Sequence, residues 1–115
     1  MSDNCLFCSI GRGEIPSDTI FEGDDVLAFR DINPQAPTHV LVIPKTHIQS
    51  WHELSSYHAG VMTSLVSTCQ TVAEQEGIHE SGYRVVSNIG SDGGQTVAHL
   101  HLHVLGGRTM NWPPG

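Results

Sequence analysis

The sequence predicts an α+β fold, in which one long helix packs on a mostly antiparallel five-stranded sheet and a short helix lies near the N-terminus. Three observations predict it. Short strand-like runs precede residue 45, one long amphipathic run covers residues 57–76, and two more strand-like runs follow. A chain of 115 residues has the size of one domain, so we expect a single domain over residues 1–115.

The first half of the chain predicts a short helix and three strands. Apolar residues recur at roughly helical spacing within residues 5–15, and Pro16 closes that segment. Two short runs around a Gly/Asp cluster predict a hairpin, and a β-branched apolar run that ends before Pro44 predicts a buried strand. The three predicted strands cover residues 19–22, 26–30 and 39–43.

The second half predicts the long helix and the last two strands. Ser55 or Ser56 can cap the start of the helix at 57–76, and Gly77 stands where a C-terminal cap belongs. Its apolar face holds Val61, Leu65, Cys69, Val72 and Ala73. Residues 83–89 and 97–105 are predicted as strands joined by a glycine-rich turn.

Composition narrows the classes of function. The formal net charge is −7 with only five Lys and Arg residues, which argues against a nucleic-acid polymer as partner. No apolar run approaches the ~20 residues of a membrane span, and no secretory signal is evident, so we expect a cytoplasmic protein with a nuclear fraction left open. Cysteines in such a chain act as thiols or metal ligands. The eight histidines suggest metal or acid–base chemistry.

Three histidines, His99, His101 and His103, alternate with apolar residues. Alternate residues share one face of a strand, so Leu100 and Leu102 should face the core. The histidine row could be a solvated face, a single three-histidine metal site, or three groups with separate roles. The outer two lie roughly 13 Å apart on a strand, too far for one ion. Separate roles are therefore favoured, with His101 in the middle as the reactive group.

A neutral imidazole is a good nucleophile when an acceptor holds its other N–H. Residues 91–96, just before the histidines, could aim backbone N–H groups at phosphate oxygens. Asp-Gly and Gly-Gly pairs are equally typical of an ordinary hairpin turn, and the two interpretations are compatible. The combination indicates attack on phosphorus through a phosphohistidine.

The segment His99-Leu100-His101-Leu102-His103-Val104-Leu105 resembles the signature of the histidine triad superfamily. The resemblance extends to residues 32–39 and 42–45. Residues 88–96 and the ending 106–115 resemble its nucleotide-binding (Hint) branch in particular. It implies a histidine-triad fold whose sheet extends across a homodimer, and hydrolysis of purine nucleoside 5′-phosphoramidates that releases AMP or GMP.

The resemblance also implies roles for individual residues. His101 would attack the α-phosphorus to form a nucleotidyl-histidine that water hydrolyses, with His39 beside the triad as a fourth histidine. The catalytic candidates are His101, His103, His39, His99 and Thr96. The phosphate and the leaving group would be held by His103, Asn88, Thr96 and the backbone of Gly94 and Gln95. Thr96 stands where serine is usual in this branch, so its extra methyl group alters the surroundings of the leaving group.

The nucleoside would bind next to these residues. Asp31 would accept hydrogen bonds from the ribose hydroxyls. The base would be lined by Leu6, Phe7, Ile10, Phe29, Ile32 and Leu41, for each of which membership of the core is the alternative.

The motif Cys5-Leu6-Phe7-Cys8 is half of a zinc site. A redox pair and two packed free thiols are the alternatives. The resemblance to zinc-binding members adds His47, in Pro44-Lys45-Thr46-His47, and His99, which would complete a structural Cys₂His₂ site. No organic cofactor is expected.

Other functions stay open from the sequence. The protein could be a nucleotide-binding regulatory or scaffolding protein with incidental turnover, a metal-dependent hydrolase built on His99 and His101, or a dinucleoside polyphosphate hydrolase. The ending 112–115 favours the Hint branch, in whose dimers this tail reaches near the partner's active site. The expected partners are a purine nucleotide and a second copy of the chain, without a nucleic-acid polymer or a membrane.

Overall fold

The computed structural model describes residues 4–115 and has a five-stranded antiparallel sheet with two α-helices in that range. The elements are α1 (Leu6–Gly11), β1 (Thr19–Glu22), β2 (Val26–Arg30), β3 (Thr38–Pro44), α2 (Ala59–Gln75), β4 (Tyr83–Val86) and β5 (Leu102–Gly106). In space the strands follow the order β1-β2-β3-β5-β4, and every neighbouring pair is antiparallel. The predicted fold class is confirmed.

Strand β3 is buried along its whole length because it pairs on both edges and is covered on both faces. Its side chains alternate between two apolar clusters. Val40 and Val42 belong to the cluster that contains the apolar face of α2, whereas Leu41 and Ile43 belong to the cluster that contains Phe7 of α1. The short helix α1 therefore covers one face of the sheet and the long helix α2 covers the other.

The alternation predicted around the histidines places them on the α1 side. Leu100, Leu102 and Val104 are buried in the cluster formed with α2. The intervening histidines must then lie on the opposite face, against α1. The pattern of apolar residues thus orients the whole row.

The last two strands are shorter than predicted. The predicted strand 97–105 begins only at Leu102, which pairs with Val42 of β3. Two residues earlier the partner on β3 would be Pro44, which has no N–H to donate. The Leu100 N–H donates to the Ile48 carbonyl instead, at 2.6 Å. Strand β4 ends at Val86, which pairs with His103, so residues 87–89 of the predicted strand lie outside it.

The long helix has a more elaborate start than the sequence indicated. A 3₁₀ turn over Ser56–His58 precedes α2, and another covers Trp51–Glu53. The Ser55 hydroxyl accepts from the Tyr57 N–H, and the His58 ring accepts from the Ser55 N–H, so Ser55 caps the turn. Gly77 follows the helix with φ +71°, as a C-terminal cap requires. Within residues 4–115, none of the helices combines the length and the apolarity needed to cross a membrane.

Arg30 at the end of β2 forms a bidentate ion pair with Glu76, just after α2. The Nη1–Oε1 and Nη2–Oε2 distances are 2.8 and 2.9 Å. The hydrogen bonds from Arg30 lower the pKa of Glu76 below its usual value of 4.5. Because this folded-state pKa is lower than that in the unfolded chain, the pair stabilises the fold above pH ~4.5 and loses its effect as the pH falls.

We therefore expect Glu76→Gln to lower the free energy of unfolding by about 1 kcal/mol at pH 7. The difference from the unmodified protein should shrink toward zero in acid, because the carboxylate is then protonated in both states. Urea denaturation at neutral pH and near pH 3.5 measures both values. Glu74→Gln, at an exposed position of the same helix, is the matched control. An equal loss at both pH values would contradict the ion-pair explanation.

Candidate active site

Two of the three alternating histidines lie just before β5 and are buried, and the third, His103, lies in the strand and is partly buried. His99 is 0% and His101 is 5% exposed, and the ring of Phe7 from α1 packs edge-on against both. A solvated polar face is therefore excluded for these two residues. Each of the three rings instead has a different set of hydrogen-bond partners, and these partners determine where its proton lies.

His99 is held from the sheet. Its Nε2 lies 2.8 Å from the Pro44 carbonyl oxygen, which can only accept, so Nε2 carries the proton. The other nitrogen, Nδ1, then has a free lone pair, and it lies 3.2 Å from the Cys5 sulfur and 3.4 Å from the Cys8 sulfur. His99 thus faces the thiols.

His101 has the opposite arrangement of its ring nitrogens. Its Nδ1 lies 2.7 Å from the His99 carbonyl oxygen and must donate to it. In the neutral form of this ring, Nε2 is therefore the atom with the lone pair. A neutral imidazole whose one N–H is held by an acceptor meets the requirement for a nucleophile.

His103 is connected to the fourth histidine, His39 of β3. The backbone N–H of Gln35 donates to His39 Nδ1 at 3.0 Å, so His39 carries its proton on Nε2. That Nε2 lies 2.9 Å from His103 Nδ1 and 3.4 Å from a carboxylate oxygen of Asp31. His103 then carries its proton on Nε2, which is buried and has no hydrogen-bond partner in residues 4–115.

Both linked histidines are neutral near pH 7. Burial, with smaller contributions from the neighbouring His101 and His39, lowers the pKa of His103 to about 4. Burial also lowers the pKa of His39, although the Asp31 carboxylate opposes this shift. The Nε2–H group of His103 is consequently a donor on a neutral ring and does not belong to a charged imidazolium.

A cleft of about 300 Å³ is lined by His101 and His103. Its other lining residues are Leu6, Phe7, Ile10, Phe29, Arg30, Asp31, Ile32, Leu41, Thr96 and Val97. All six predicted base-pocket residues are included, together with Asp31 and Thr96. Four of the six are also buried in the core beside α1, so these four both line the cleft and belong to the core. Ile32 and Leu6, which are 100% and 47% exposed, are not core residues.

Sequence reasoning missed Arg30 and Val97 as lining residues. Val97 lies between the glycine-rich segment and the first histidine, and Arg30 directly precedes Asp31. Their positions next to predicted site residues were the available signal. His39 and His99 do not line the cleft and act from behind it, through His103 and His101.

The glycine-rich segment borders the cleft rather than lining it. The N–H groups of Gly94 and Gln95 donate to the carbonyls of Ser91 and Gly90, as in an ordinary turn. Asn88 lies beside this turn, since a Cβ added to Gly94 would be 3.9 Å from its Nδ2. The structure therefore brings Thr96, but not Asn88, Gly94 or Gln95, to the cleft wall.

The Gln95 side chain ties this turn to its surroundings. Its oxygen accepts from the Gly90 N–H, and its amide nitrogen donates to the carbonyls of Gln49 and Val97 at 2.8 and 3.0 Å. Glycine is required at position 93, because a Cβ there would collide with the backbone of Ile89. Gln95 thus holds the turn in place next to the histidines.

Cys5, Cys8, His47 and His99 converge behind the histidine row. One ligand atom from each lies within 4.8 Å of all the others, and the Cys8 sulfur is 3.3 Å from His47 Nδ1. Tetrahedral zinc with the usual bond lengths would keep sulfur and nitrogen ligands about 3.5 Å apart. His99 also donates its outer N–H to a carbonyl, as metal-bound histidines do. The donor set therefore fits a structural zinc ion.

The alternative of a catalytic metal on His99 and His101 finds no support in the geometry. Among residues 4–115, His101 belongs to neither group of clustered ligand atoms. The second group is formed by Asp31, His39 and His103, and hydrogen bonding already accounts for their close approach.

Comparisons with known proteins agree with this geometry. The HIT domain family model matches residues 12–110. The chain is 46% identical over 110 residues to the purine nucleoside phosphoramidase of Escherichia coli (strain K12), covering 96% of this chain and 92% of that protein. It is 50% identical over 112 residues to the 14 kDa zinc-binding protein of Zea mays, covering 96% and 87%.

The structural comparison gives the same result. A crystal structure of a HIT family hydrolase from Legionella pneumophila Philadelphia 1 aligns with a TM-score of 0.95 at 51% identity, covering 97% of this chain and 100% of that one. The resemblance inferred from the alternating histidines is thereby confirmed, and the chain belongs to the histidine triad (HIT) domain family.

Proposed function

We propose that the protein is a hydrolase that cleaves the phosphorus–nitrogen bond of purine nucleoside 5′-phosphoramidates, with His101 as the nucleophile. The 2.7 Å contact between His101 Nδ1 and the His99 carbonyl carries the proposal, because it leaves the lone pair on Nε2 of a residue that lines the cleft. The similarity to a relative named purine nucleoside phosphoramidase supports this choice of substrate.

The reaction would take place in two steps at the same phosphorus atom. His101 Nε2 attacks the α-phosphorus, the P–N bond breaks as the leaving nitrogen takes up a proton from solvent, and the amine departs, which leaves a nucleotidyl-histidine. Water then attacks that phosphorus, the bond between phosphorus and Nε2 breaks, and the proton of the water returns to solvent, so that the nucleoside monophosphate and neutral His101 are released. The His99 carbonyl, which accepts from Nδ1, stabilises the positive charge that develops on the ring during attack.

Other residues around the cleft would bind the substrate. His103 Nε2–H, which has no partner in residues 4–115, would donate to a phosphate oxygen. Thr96 lies at the cleft wall, where its hydroxyl would support the leaving group. The apolar side chains would contact the purine, and the Asp31 carboxylate would accept from the ribose hydroxyls.

We expect His101→Ala to reduce turnover of adenosine 5′-phosphoramidates by at least about a thousand-fold, because the nitrogen that forms the covalent intermediate is removed. Initial rates with AMP-lysine measure the loss. Intact mass spectrometry of the quenched wild-type reaction should show one added adenylyl group, which the variant lacks.

The matched control for this variant is His79→Ala, at an exposed position outside the cleft, which should retain the wild-type rate. Full turnover by His101→Ala would contradict the assignment.

A parallel assay with diadenosine polyphosphates tests the alternative that the protein is a dinucleoside polyphosphate hydrolase. AMP binding without turnover of any substrate would instead favour a scaffolding role.

We also propose a structural zinc ion held by Cys5, Cys8, His47 and His99. The convergence of the four ligand atoms supports it, and so does the similarity to a relative named as zinc-binding. Bound zinc would cross-link the start of α1 to the histidine segment. Burial and the adjacent Cys5 raise the pKa of Cys8 to about 11 in the chain alone, so binding would displace this proton.

Metal analysis of protein purified without a histidine tag should therefore give about one zinc per chain. Cys5→Ser should lose the metal and lower the melting temperature by several degrees, because the cross-link is lost. Cys69→Ala removes a thiol on the buried face of α2 and should leave the zinc content unchanged. Zinc near zero in the wild type, together with a harmless Cys5→Ser, would rule out the site.

A homodimer is part of the same proposal. Strand β4 lies at one edge of the sheet, where a second copy could pair with it and extend the sheet. Val85 on this strand is 44% exposed, so it leaves apolar surface that a second copy would cover. Light scattering coupled to size-exclusion chromatography measures the mass of the particle and so tests the dimer.

A further inference from the structure

We propose that Gln35 and Arg108 are positioning residues that determine which ring nitrogens of His39 and His103 carry the protons. The inference rests on the proposed function in one respect, namely that His103 donates to the substrate phosphate. The arrangement itself stands on contacts that do not involve substrate.

The first contact is made by Arg108 just beyond β5. Its Nε and Nη2 atoms both donate to the carbonyl oxygen of Gln35, at 3.2 and 3.1 Å. The same guanidinium donates through Nη1 to the carbonyl of Thr109 at 3.2 Å. A planar group held at three atoms has a defined orientation, so Arg108 fixes the Gln35 carbonyl, and through it the residue whose N–H faces His39.

The second contact is made by Gln35 itself. Its backbone N–H donates to His39 Nδ1 at 3.0 Å, and its side-chain amide donates to the Asn33 carbonyl at 3.1 Å. The Asn33 N–H in turn donates to the Asp31 carboxylate at 2.8 Å. The loop before β3 is thereby closed on itself, and it presents one backbone donor to His39.

A backbone N–H is an unambiguous proton donor, unlike a second side chain that can exchange roles. It requires a lone pair on His39 Nδ1 and so places the proton on Nε2. His39 Nε2 then donates to His103 Nδ1 at 2.9 Å. With the other tautomer of either ring, two lone pairs or two N–H groups would face each other across this contact. His103 must therefore carry its proton on Nε2.

The sheet explains how these distant residues meet. In the β3–β5 register, His39 is opposite Leu105 and His103 is opposite Leu41, so the two histidines are diagonal neighbours. Beyond β5, Gly107 packs on Pro37, because a Cβ added at Gly107 would lie 2.9 Å from the Pro37 Cβ. The end of the strand that contains His103 therefore places Arg108 next to the loop that contains Gln35.

The decisive experiment compares two substitutions at one position. Gln35→Pro removes the backbone N–H, whereas Gln35→Ala keeps it and removes only the side chain. Long-range ¹H–¹⁵N correlation spectra of the imidazoles report which nitrogen of each histidine is protonated. The wild type and Gln35→Ala should show both His39 and His103 protonated on Nε2. Gln35→Pro should show a mixture of tautomers at both rings.

The arginine is tested with a matched pair of its own. Arg108→Ala should shift the tautomers in the same direction as Gln35→Pro but less far, and Arg108→Lys, which keeps one donor, should lie between it and the wild type. Arg84 donates to the Asn111 carbonyl at 2.9 Å, so Arg84→Ala also removes an arginine contact to the C-terminal segment. That control should leave both tautomers as in the wild type.

Kinetics then connect the tautomers to the reaction. Gln35→Pro should lower kcat for AMP-lysine about tenfold or more with a smaller change in KM. The reason is that His103 would no longer donate reliably to the phosphate, and this hydrogen bond matters most in the transition state. Shifted tautomers with unchanged kcat would overturn the positioning role. If the wild type turns over no phosphoramidate, the proposed function fails while the spectra still decide whether the two residues set the tautomers.

Wild-type tautomers in a folded Gln35→Pro protein would overturn the inference outright. If Gln35→Pro does not fold, as judged by circular dichroism, Arg108→Ala decides. Wild-type tautomers in that variant would overturn it, and a shifted His103 signal with an unchanged Arg84→Ala control would support it.

Discussion

The hydrogen bonds of His99 connect the sheet, the two cysteines and His101. Its side chain donates to the Pro44 carbonyl at the end of the central strand, and its backbone carbonyl accepts from His101. The remaining ring nitrogen lies against the sulfurs of Cys5 and Cys8. One fully buried residue therefore joins the sheet, the cysteines of α1 and the neighbouring histidine, and its orientation determines theirs.

The three alternating histidines differ in which ring nitrogen carries the proton, because each ring has different hydrogen-bond partners. His99 keeps a lone pair on Nδ1 for the sulfur side, and His101 keeps one on Nε2, on a ring that lines the cleft. His103 keeps a proton on Nε2 because His39 occupies its other nitrogen. Burial lowers the pKa of His103 and His99, so these rings are neutral and each has one defined tautomer. A row of identical residues thus presents a lone pair toward sulfur, a lone pair on a ring of the cleft wall and an N–H donor.

The hydrogen bonds that set these tautomers come largely from the backbone. The carbonyls of Pro44 and His99 and the N–H of Gln35 each have a single hydrogen-bonding role. Such groups cannot change role when a side chain rotates or titrates. Each contact therefore favours one tautomer for as long as the backbone around it stays in place.

The amino-acid sequence by itself determined the fold class and the face on which the histidines lie. Leu100, Leu102 and Val104 alternate with the histidines, and burial of one set necessarily turns the other toward α1. The two half-motifs of the cluster of cysteines and histidines were also visible, because their spacing is local. The start of β5 could not be predicted, since it depends on Pro44 in a neighbouring strand.

Only the tertiary structure decided which nitrogen of each histidine is protonated and which residues border the cleft. Arg108 lies 73 positions from Gln35, and His39 lies 64 positions from His103. Contacts over such separations follow from the register of β3 and β5, and no local pattern records them. The same holds for the turn at Gly94 and Gln95, whose N–H groups are engaged within the turn itself. The residue types were readable from the chain, whereas their proton positions depend on which partners the sheet brings next to them.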